Sequence, residues 1–331
     1  MFLLKAITLL VCILIVIGGL IPRGRNSDPD QKGTLKVNNL GARLADNARD
    51  ISSLLLHGKD KKEFQKEAKK HQKNVMKSET GRLFVINFKG DMEAKAASNL
   101  REEVTAVLGV ANEKDEVLVN IESGGGVVHG YGFAASQLDR IRSKGIPLTT
   151  AVDKVAASGG YMMACVGEKI ISAPFAIIGS IGVIAQIPNF HRLLDKNDID
   201  FEMHTAGEFK RTLTMFGENT DEGRKKFVED IEDVHVLFKN FVSEHRKELD
   251  IEKVATGEVW FGSKAKEVGL VDEVMTSDEY VIEKAKTHEV FEIVFEPKKS
   301  LQQRLSKSVE SSIEQVIYKT IEGFRNNRFF S

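Results

Sequence analysis

The strongest constraint on the fold is a regular alternation of two sequence patterns beyond Gly81. Short runs rich in β-branched and aromatic residues read RLFVINF, EVLVNI and IPLTTAV. Helical stretches separate them, from about Glu93 to Leu108 and from about His129 to Ser143. The order strand, helix, strand is typical of βαβ units with right-handed crossovers, which build a mostly parallel sheet. The sequence therefore predicts an α/β fold.

Glycine clusters follow two of the predicted strands. SGGG at Ser123–Gly126 comes after VLVNI, and ASGG, which ends at Gly160, comes after TTAVDKV. Sites in open α/β sheets form beyond the carboxyl ends of the strands. We therefore expect the two glycine loops to face one crevice.

Later segments extend this pattern. The apolar run Ile170–Ile187 is long enough to suggest a membrane span, but Pro174 and its internal glycines and serines favour a buried strand with a tight turn. A long amphipathic helix is predicted over Asp221–Lys247, followed by a short helix and a turn over Glu258–Val274.

The first residues predict a membrane anchor. No charge interrupts Ala6–Ile21, and Phe2–Ile21 as a helix would measure ~30 Å, about one hydrocarbon thickness. Lys5 can reach the interface with its amine. A secretory signal has a similar start, but no convincing small-x-small cleavage site follows, so a retained anchor over residues 1–22 is favoured.

The regions beside the folded part are polar or amphipathic. Residues 23–80 predict a charged spacer, in which Lys59–Lys77 holds eight lysines against three acids. Interspersed acids favour a solvated linker over adhesion to anionic lipid. Residues 81–297 are assigned to one domain that contains these strands and helices. Residues 298–331 carry an apolar residue at every fourth position, which predicts an amphipathic tail that contacts a membrane surface, a subunit or the domain itself.

Composition excludes several classes of function. The chain has 47 Lys+Arg and 48 Asp+Glu, so no global field favours nucleic acid. Its two cysteines, Cys12 and Cys165, make a disulfide framework implausible. No histidine pairs with Cys, Asp or Glu at a recognisable ligand spacing. We predict no metal and no cofactor.

Ser158 is the first candidate for chemistry. It could simply cap a helix. However, Gly159 and Gly160 in a first helical turn cost ~1 kcal/mol each relative to alanine, which a cap alone does not explain. Glycine is favoured where another backbone must come close, as a bound peptide would. The pattern therefore indicates a nucleophilic serine whose oxyanion is stabilised by backbone N–H groups.

A serine nucleophile needs a base. The histidine candidates are His129, His191 and His204, and none carries a triad signature. A lysine can serve if burial without a carboxylate partner disfavours its charged form. Lys210 follows a predicted strand, Phe201–His204, and a glycine turn. Its charged sequence neighbours alone would favour an ordinary surface lysine.

Three segments in this order decide between these readings: NIESGGGVVHGYGFAASQL, VDKVAASGGYMMACVGEKIISAPFAIIGSIGVIAQIPN and HTAGEFKRTLTMFGENTDEGR. They resemble the SohB branch of the signal peptide peptidase A family, a group of membrane-bound serine proteases. The resemblance covers about residues 81–275. In that family the serine of A-S-G-G-Y is the nucleophile and the lysine of a G-x-x-K turn is the general base. The resemblance therefore implies Ser158 and Lys210, which lie 52 residues apart.

The resemblance implies further site residues. Ser180, in G-S-I-G, is expected to orient the lysine amine by a hydrogen bond. The loop after the second strand is expected to supply an oxyanion N–H, assigned to Gly125, with Gly159 assisting. The family usually has proline where this chain has Gly124, which predicts a softer oxyanion loop.

Fold, assembly and location also follow from the resemblance. It implies a crotonase-like or ClpP-like superhelix of βαβ units and a ring-like homo-oligomer in which the serine and lysine can come from neighbouring protomers. It implies a single-pass protein of the bacterial inner membrane with a periplasmic catalytic domain. Positive charges after the anchor would instead place the domain in the cytoplasm. Expected substrates are signal-peptide remnants or misfolded envelope proteins.

Two alternative functions stay open. A crotonase-type acyl-CoA enzyme would also use two backbone N–H groups as an oxyanion hole, but would not need Ser158. A non-catalytic membrane scaffold would need neither Ser158 nor Lys210. Loss of peptidase activity on substitution of these residues would distinguish both from a protease.

Overall fold

The structure is a computed structural model that describes residues 33–77 and 81–298. Residues 34–296 form one compact unit. A second unit comprises residues 1–33 and 297–331, almost all of which lies outside the described ranges.

Two predicted segments fall outside the described residues. These are the anchor over residues 1–22 and the apolar stripe of the tail beyond Lys298. Within the described ranges, no helix combines the length and the apolar character needed to cross a membrane.

Strands and helices alternate along the compact part of the chain. The strands are β1 (Gly33–Asn39), β2 (Arg82–Lys89), β3 (Glu116–Glu122), β4 (Leu148–Val152), β5 (Val155–Ala157), β6 (Lys169–Ser172), β7 (Ile177–Gly179), β8 (Val259–Phe261), β9 (Glu273–Val274) and β10 (Glu289–Pro297). The helices are α1 (Leu40–Leu55), α2 (Gly58–Lys77), α3 (Ala97–Leu108), α4 (Val128–Arg142), α5 (Gly159–Ala164), α6 (His191–Asp195), α7 (Asp221–His245), α8 (Ile251–Val254), α9 (Gly262–Glu267) and α10 (Ser277–Lys284).

Seven strands form the main sheet, in the order β1-β10-β2-β3-β4-β6-β9. Every pairing from β10 to β9 is parallel, and β2 aligns with β3 so that Leu83 lies beside Glu116. A second sheet has the order β5-β7-β8, with β5 parallel to β7 and β7 antiparallel to β8. The predicted α/β fold is confirmed.

The main sheet is buried on both faces. In β2, Leu83 and Val85 belong to one buried cluster, whereas Phe84 and Ile86 belong to another. Successive side chains of a strand point to opposite faces, so each face needs its own cover. The second cluster includes the buried faces of α3 and α4. Two-sided burial explains the nearly continuous apolar runs of β2 to β4 and fixes the ends of these strands.

The structure differs from the sequence prediction around the spacer. The strand β1 lies at the edge of the main sheet, and α1 begins at the buried Leu40 behind an Asn39 cap that accepts the N–H of Ala42 at 2.7 Å. The compact unit therefore starts near Thr34, and only part of the predicted spacer lies outside it. The helix α2 covers the lysine-rich segment.

Other elements lie close to their predicted places. The run Ile170–Ile187 contains β6, a turn closed by the Ala176 N–H to the carbonyl of Ala173, and β7, as predicted. The predicted strand at Phe201–His204 is wrong, because this segment is exposed and pairs with no strand among the described residues. Phe201 packs instead against Phe216, with ring centroids 5.9 Å apart.

Candidate active site

The two predicted glycine loops lie side by side. The N–H of Ser123 donates to the carbonyl of Val155 at 2.8 Å, and the N–H of Ala157 donates to the carbonyl of Ser123 at 3.0 Å. These bonds join the end of β3 to β5, so the loop after Ser123 runs beside Ser158. Parallel strands that end at the same edge therefore bring both loops together, as expected.

Ser158 has a backbone conformation that is unfavourable for a residue with a side chain. Its φ is 52° and its ψ is −120°. Its N–H donates to the carbonyl of Gly179 at 2.7 Å, and its carbonyl accepts the N–H of Met162 at 2.9 Å. Its hydroxyl makes no capping bond to α5, so the capping interpretation fails. Such strain persists where surrounding structure holds it, and it is concentrated at functional sites.

Two glycines allow the loops to touch. A Cβ built on Gly125 would lie 2.6 Å from the Gly159 nitrogen and 2.8 Å from the Ser158 Cβ, and the φ of Gly125 is 86°. A Cβ built on Gly159 would overlap the ring of Tyr131. A larger residue at Gly125 would displace the backbone around the serine, and one at Gly159 would displace Tyr131.

Of the backbone N–H groups beside Ser158, one is already hydrogen-bonded and two are not. The Gly125 N–H, the predicted oxyanion donor, donates to Ser123 Oγ at 3.0 Å. The N–H groups of Gly126 and Gly159 meet no acceptor in the part of the chain that the structure describes. These two donors are therefore free to receive a ligand.

Ser180 shares the cleft with Ser158. Its φ is 52°, and its N–H donates to the carbonyl of Glu258 at 2.6 Å. The preceding residue, Gly179, accepts the Ser158 N–H and lies against the ring of Trp260, so the two serines are tied through one backbone segment. Neither serine hydroxyl has a hydrogen-bond partner among the described residues.

The serines open into a cleft of about 690 Å³. Its apolar lining includes Met162, Val183, Ile184, Val234, Phe238 and Ala255. Such a lining suits small or apolar side chains. The glycine loops and both serines form its polar side.

Lys210 lies elsewhere in the single chain. The predicted glycine turn is present, because the Lys210 N–H donates to the carbonyl of Gly207 at 3.2 Å and Gly207 has a φ of 98°. The Lys210 side chain is exposed and does not line the cleft. The structure therefore brings together Ser158, Ser180 and the two glycine loops without the predicted base.

Lys210 belongs to an exposed segment, residues 183–220, that we call the arm. Its only regular element is the short helix α6. It exposes many large apolar side chains: Ile184, Ile187, Phe190, Leu193, Ile199, Phe201, Met203, Phe209, Met215 and Phe216. Apolar surface of this extent is typical of a segment that packs against another molecule.

The histidine candidates do not line the cleft that holds Ser158. His129, His191 and His204 are absent from the cleft lining, whereas His235 of α7 is part of it. The His235 Nε2 is buried and has no partner among the described residues. No triad signature in the sequence indicates His235, although Val234, His235 and Phe238 have the spacing of one helix face. No group of three potential metal ligands occurs in the described ranges.

Comparison with known proteins gives a family. The model described as Peptidase family S49 matches residues 140–291, and that described as Peptidase family S49 N-terminal matches residues 1–138. The first range includes Ser158, Ser180 and Lys210, and the second includes Gly125.

Individual relatives agree over most of their lengths. The chain is 47% identical over 332 residues to Probable protease SohB of Haemophilus influenzae, covering 96% of this chain and 94% of that protein. It is 54% identical over 245 residues to Probable protease SohB of Buchnera aphidicola subsp. Acyrthosiphon pisum, covering 74% and 73%. It is 48% identical over 296 residues to Probable protease SohB of Buchnera aphidicola subsp. Schizaphis graminum, covering 86% and 85%.

Proposed function

Because this chain belongs to peptidase family S49 and is a SohB-type protease, we propose that it hydrolyses peptide bonds with Ser158 as nucleophile and Lys210 as general base. The observation that carries the nucleophile is the strained position of Ser158 between two glycine loops at an open cleft. A hydroxyl held there can reach a peptide carbonyl laid along the loops. No crotonase-type acyl-CoA chemistry is needed to account for this arrangement.

The proposed reaction has two halves. The Lys210 amine accepts the Ser158 proton as Oγ bonds to the scissile carbonyl carbon, and the resulting ammonium gives that proton to the leaving amine as the C–N bond breaks. A water then attacks the acyl-serine and gives a proton to the Lys210 amine. The resulting ammonium returns this proton to Ser158 Oγ as the ester bond breaks and the acid product leaves. Ser180, which lines the same cleft as Ser158, is the residue that we propose orients the Lys210 amine.

Backbone donors stabilise the oxyanion. The free N–H groups of Gly159 and Gly126 are the donors that we propose, because the Gly125 N–H is already engaged by Ser123. Gly125 then acts by letting the loop approach Ser158. Preorganised donors of this kind contribute a large part of acyl-transfer catalysis, since losing one costs about 10²–10³-fold in kcat.

We further propose that the arm of one protomer delivers Lys210 to the cleft of its neighbour in a homo-oligomer. The exposed lysine and the exposed apolar side chains of the arm support this arrangement. Assembly would remove water from both and give the amine the dry surroundings that a lysine base requires. The ClpP-like or crotonase-like superhelix is a compatible form of the α/β fold observed here.

Extended peptides with small or apolar side chains are the proposed substrates, which the apolar cleft supports. Signal-peptide remnants and misfolded envelope proteins have this character. The predicted anchor over residues 1–22 would hold the enzyme in the bacterial inner membrane with its catalytic domain in the periplasm. A periplasm-active reporter fused after Ser331 should then be active, and activity of a cytoplasm-specific reporter would reverse the orientation.

Complementation tests both the dyad and its sharing. The full chain is purified in detergent and assayed on casein and a fluorogenic apolar peptide. Ser158→Ala and Lys210→Ala should each be inactive, while Lys196→Ala, an exposed lysine of the same arm, should keep full activity. Co-expressed Ser158→Ala and Lys210→Ala chains should regain activity, up to about a quarter of wild type for random mixing in a ring with shared sites.

Two results would overturn these proposals. Activity that survives Ser158→Ala would exclude this nucleophile and revive the scaffold or acyl-CoA alternatives. Co-expression that restores nothing, with mixed oligomers demonstrated by two affinity tags, would confine the dyad to one chain.

A further inference from the structure

A buried chain of hydrogen bonds lies beneath the first glycine loop, Ser123–Gly126, which is called the glycine loop below. The Tyr131 hydroxyl donates to the carbonyl of Asp91 at 2.7 Å, and its oxygen lies 2.5 Å from Ser123 Oγ. Since the single Tyr131 proton goes to Asp91, Ser123 must donate to Tyr131. Ser123 Oγ in turn accepts the N–H of Gly125 at 3.0 Å. The hydrogen bonds therefore all donate in one direction, from the Gly125 N–H through both hydroxyls to the Asp91 carbonyl.

Both hydroxyl residues are shielded from water. Tyr131 is 0% exposed and Ser123 is 2% exposed. Burial raises the pKa of Tyr131 above its usual value, so the hydroxyl keeps the proton that it donates. Buried hydrogen bonds that satisfy every partner hold their groups in one geometry.

Tyr131 also contacts the other side of the site. Its ring occupies the space that a Cβ on Gly159 would need, and the Ser123 carbonyl occupies the space that a Cβ on Gly160 would need. The same two residues therefore support the loop that contains Gly126 and the start of α5 that contains Gly159.

We propose that Tyr131 and Ser123 are positioning residues that fix the glycine loop against Ser158, so that the Gly126 and Gly159 N–H groups converge on one oxyanion. This inference rests on the proposed role of Ser158 as nucleophile.

We call the hydrogen bonds that link Gly125, Ser123, Tyr131 and Asp91 the tether. The composition of the glycine loop makes such a restraint necessary. Three consecutive glycines, residues 124–126, give the backbone much freedom. A Cβ built on Gly124 would meet nothing within 4 Å, so contacts on that side restrict nothing. The hydrogen bond from the Gly125 N–H to Ser123 restrains the middle of the loop, while its end is held where the Val127 N–H donates to the carbonyl of Met92 at 2.9 Å.

Kinetics of two tether variants tests the proposal. Tyr131→Phe and Ser123→Ala should each lower kcat about tenfold or more on the fluorogenic peptide, with KM changed less than about twofold, because donor geometry acts on the transition state. The rate at which a fluorophosphonate labels Ser158 should fall in parallel. The matched control is Tyr280→Phe, which removes another buried hydroxyl, bonded to Thr149 at 3.1 Å and outside the cleft lining. It should leave both rates unchanged.

A rescue variant separates positioning from general damage. Gly124→Pro should restore part of the kcat lost in Tyr131→Phe, since proline restricts the loop independently of the tether. The Gly124 N–H has no acceptor among the described residues, so proline removes no hydrogen bond there.

The outcomes are distinguishable. Wild-type kcat and labelling in folded Tyr131→Phe and Ser123→Ala would overturn the tether while leaving the nucleophile intact. An equal loss in Tyr280→Phe, or a loss that Gly124→Pro does not relieve at all, would show a purely structural role and also overturn it. A wild-type enzyme that cleaves peptide but is not labelled at Ser158 would instead refute the proposed function.

Discussion

Ser158 and Lys210 sit in contrasting surroundings. Ser158 directly follows the short strand β5, in which Ala156 and Ala157 are buried. Its backbone is held by hydrogen bonds to Gly179 and Met162. Lys210 lies in the arm, where Phe209 beside it is 54% exposed and α6 spans only five residues. One half of the proposed dyad is therefore fixed within the chain, and the other half is displayed on its surface.

This contrast shows where the remaining free energy for building the site must come from. Buried strands and loops already hold Ser158 in an unfavourable conformation, so the chain itself supplies that strain energy. The exposed apolar side chains of the arm gain free energy only when another surface covers them, at about 25 cal/mol per Å². Completion of the site is thus coupled to association in the proposed oligomer.

The largest expected difference comes from replacing each dyad residue with glycine. Ser158→Gly and Lys210→Gly should both lower kcat by about 10⁴-fold, because each removes a reacting group. Only Ser158→Gly should raise the free energy of unfolding, by about 1 kcal/mol, since glycine tolerates the positive φ. Urea denaturation of both variants measures this. An equal stability change in the two would show that Ser158 is not strained.

A smaller loss is expected at the loop beside the serine. Gly125→Ala should lower kcat by about 10²-fold, because its Cβ would displace the Gly159 N–H from the oxyanion. Gly124→Ala, one residue earlier, has open space and should stay within about twofold of wild type. Steady-state kinetics of the pair gives the answer. Similar kcat values for both variants would show that the close contact of Gly125 with Ser158 and Gly159 does not contribute to catalysis.

Charge placed on the arm should have a moderate effect. Leu193→Asp and Ile199→Asp replace side chains that are 57% and 54% exposed, so the folded chain should keep its melting temperature. Activity should fall about tenfold, and light scattering should show smaller particles, because a charge in an apolar contact opposes assembly. Unchanged particle size and activity would show that the arm has no role in assembly.

The smallest effect on activity is expected from Glu103, on α3, which acts on stability in a pH-dependent way. Burial raises the pKa of Glu103 to about 7, while the Phe295 N–H donates to its carboxyl at 2.8 Å. The native state then holds a proton that the unfolded chain releases near pH 4.5, so wild-type stability falls as pH rises from 4.5 through 7. Glu103→Gln keeps an acceptor without a charge.

Denaturation of this variant at two pH values checks the sign. Glu103→Gln should gain about 2 kcal/mol more stability at pH 8 than at pH 5, relative to wild type. The arm should be unaffected, so oligomer size should not change. A gain that is larger at pH 5 would mean that Glu103 is ionised in the native state.

The contrast between the two regions also explains what the sequence could predict. Alternating strands and helices are visible because buried strands need apolar residues, and glycine clusters mark the strand ends at which Ser158 and Gly125 meet. The strand predicted at Phe201–His204 failed because its alternating pattern belongs to an exposed arm without a partner strand. The start of the compact unit was missed because β1 buries little apolar surface and its pattern is polar.

Long-range partners were also beyond prediction. Nothing in the spacing of Asp91, Ser123 and Tyr131 indicates that they share hydrogen bonds, since the tether depends on how α4 packs beneath the loop. His235 was overlooked for a similar reason, because only the packing of α7 brings it to the cleft. The proposed approach of Lys210 to a serine involves a second protomer, so no spacing within one chain indicates it.

The contact between Trp260 and Gly179 has a practical consequence. The sequence contains one tryptophan, and that indole lies against the residue whose carbonyl holds the Ser158 N–H. Its fluorescence therefore comes from a single place, next to the backbone segment that holds Ser158. Emission wavelength and quenching become an intrinsic optical signal of inhibitor binding or acylation, without any added dye.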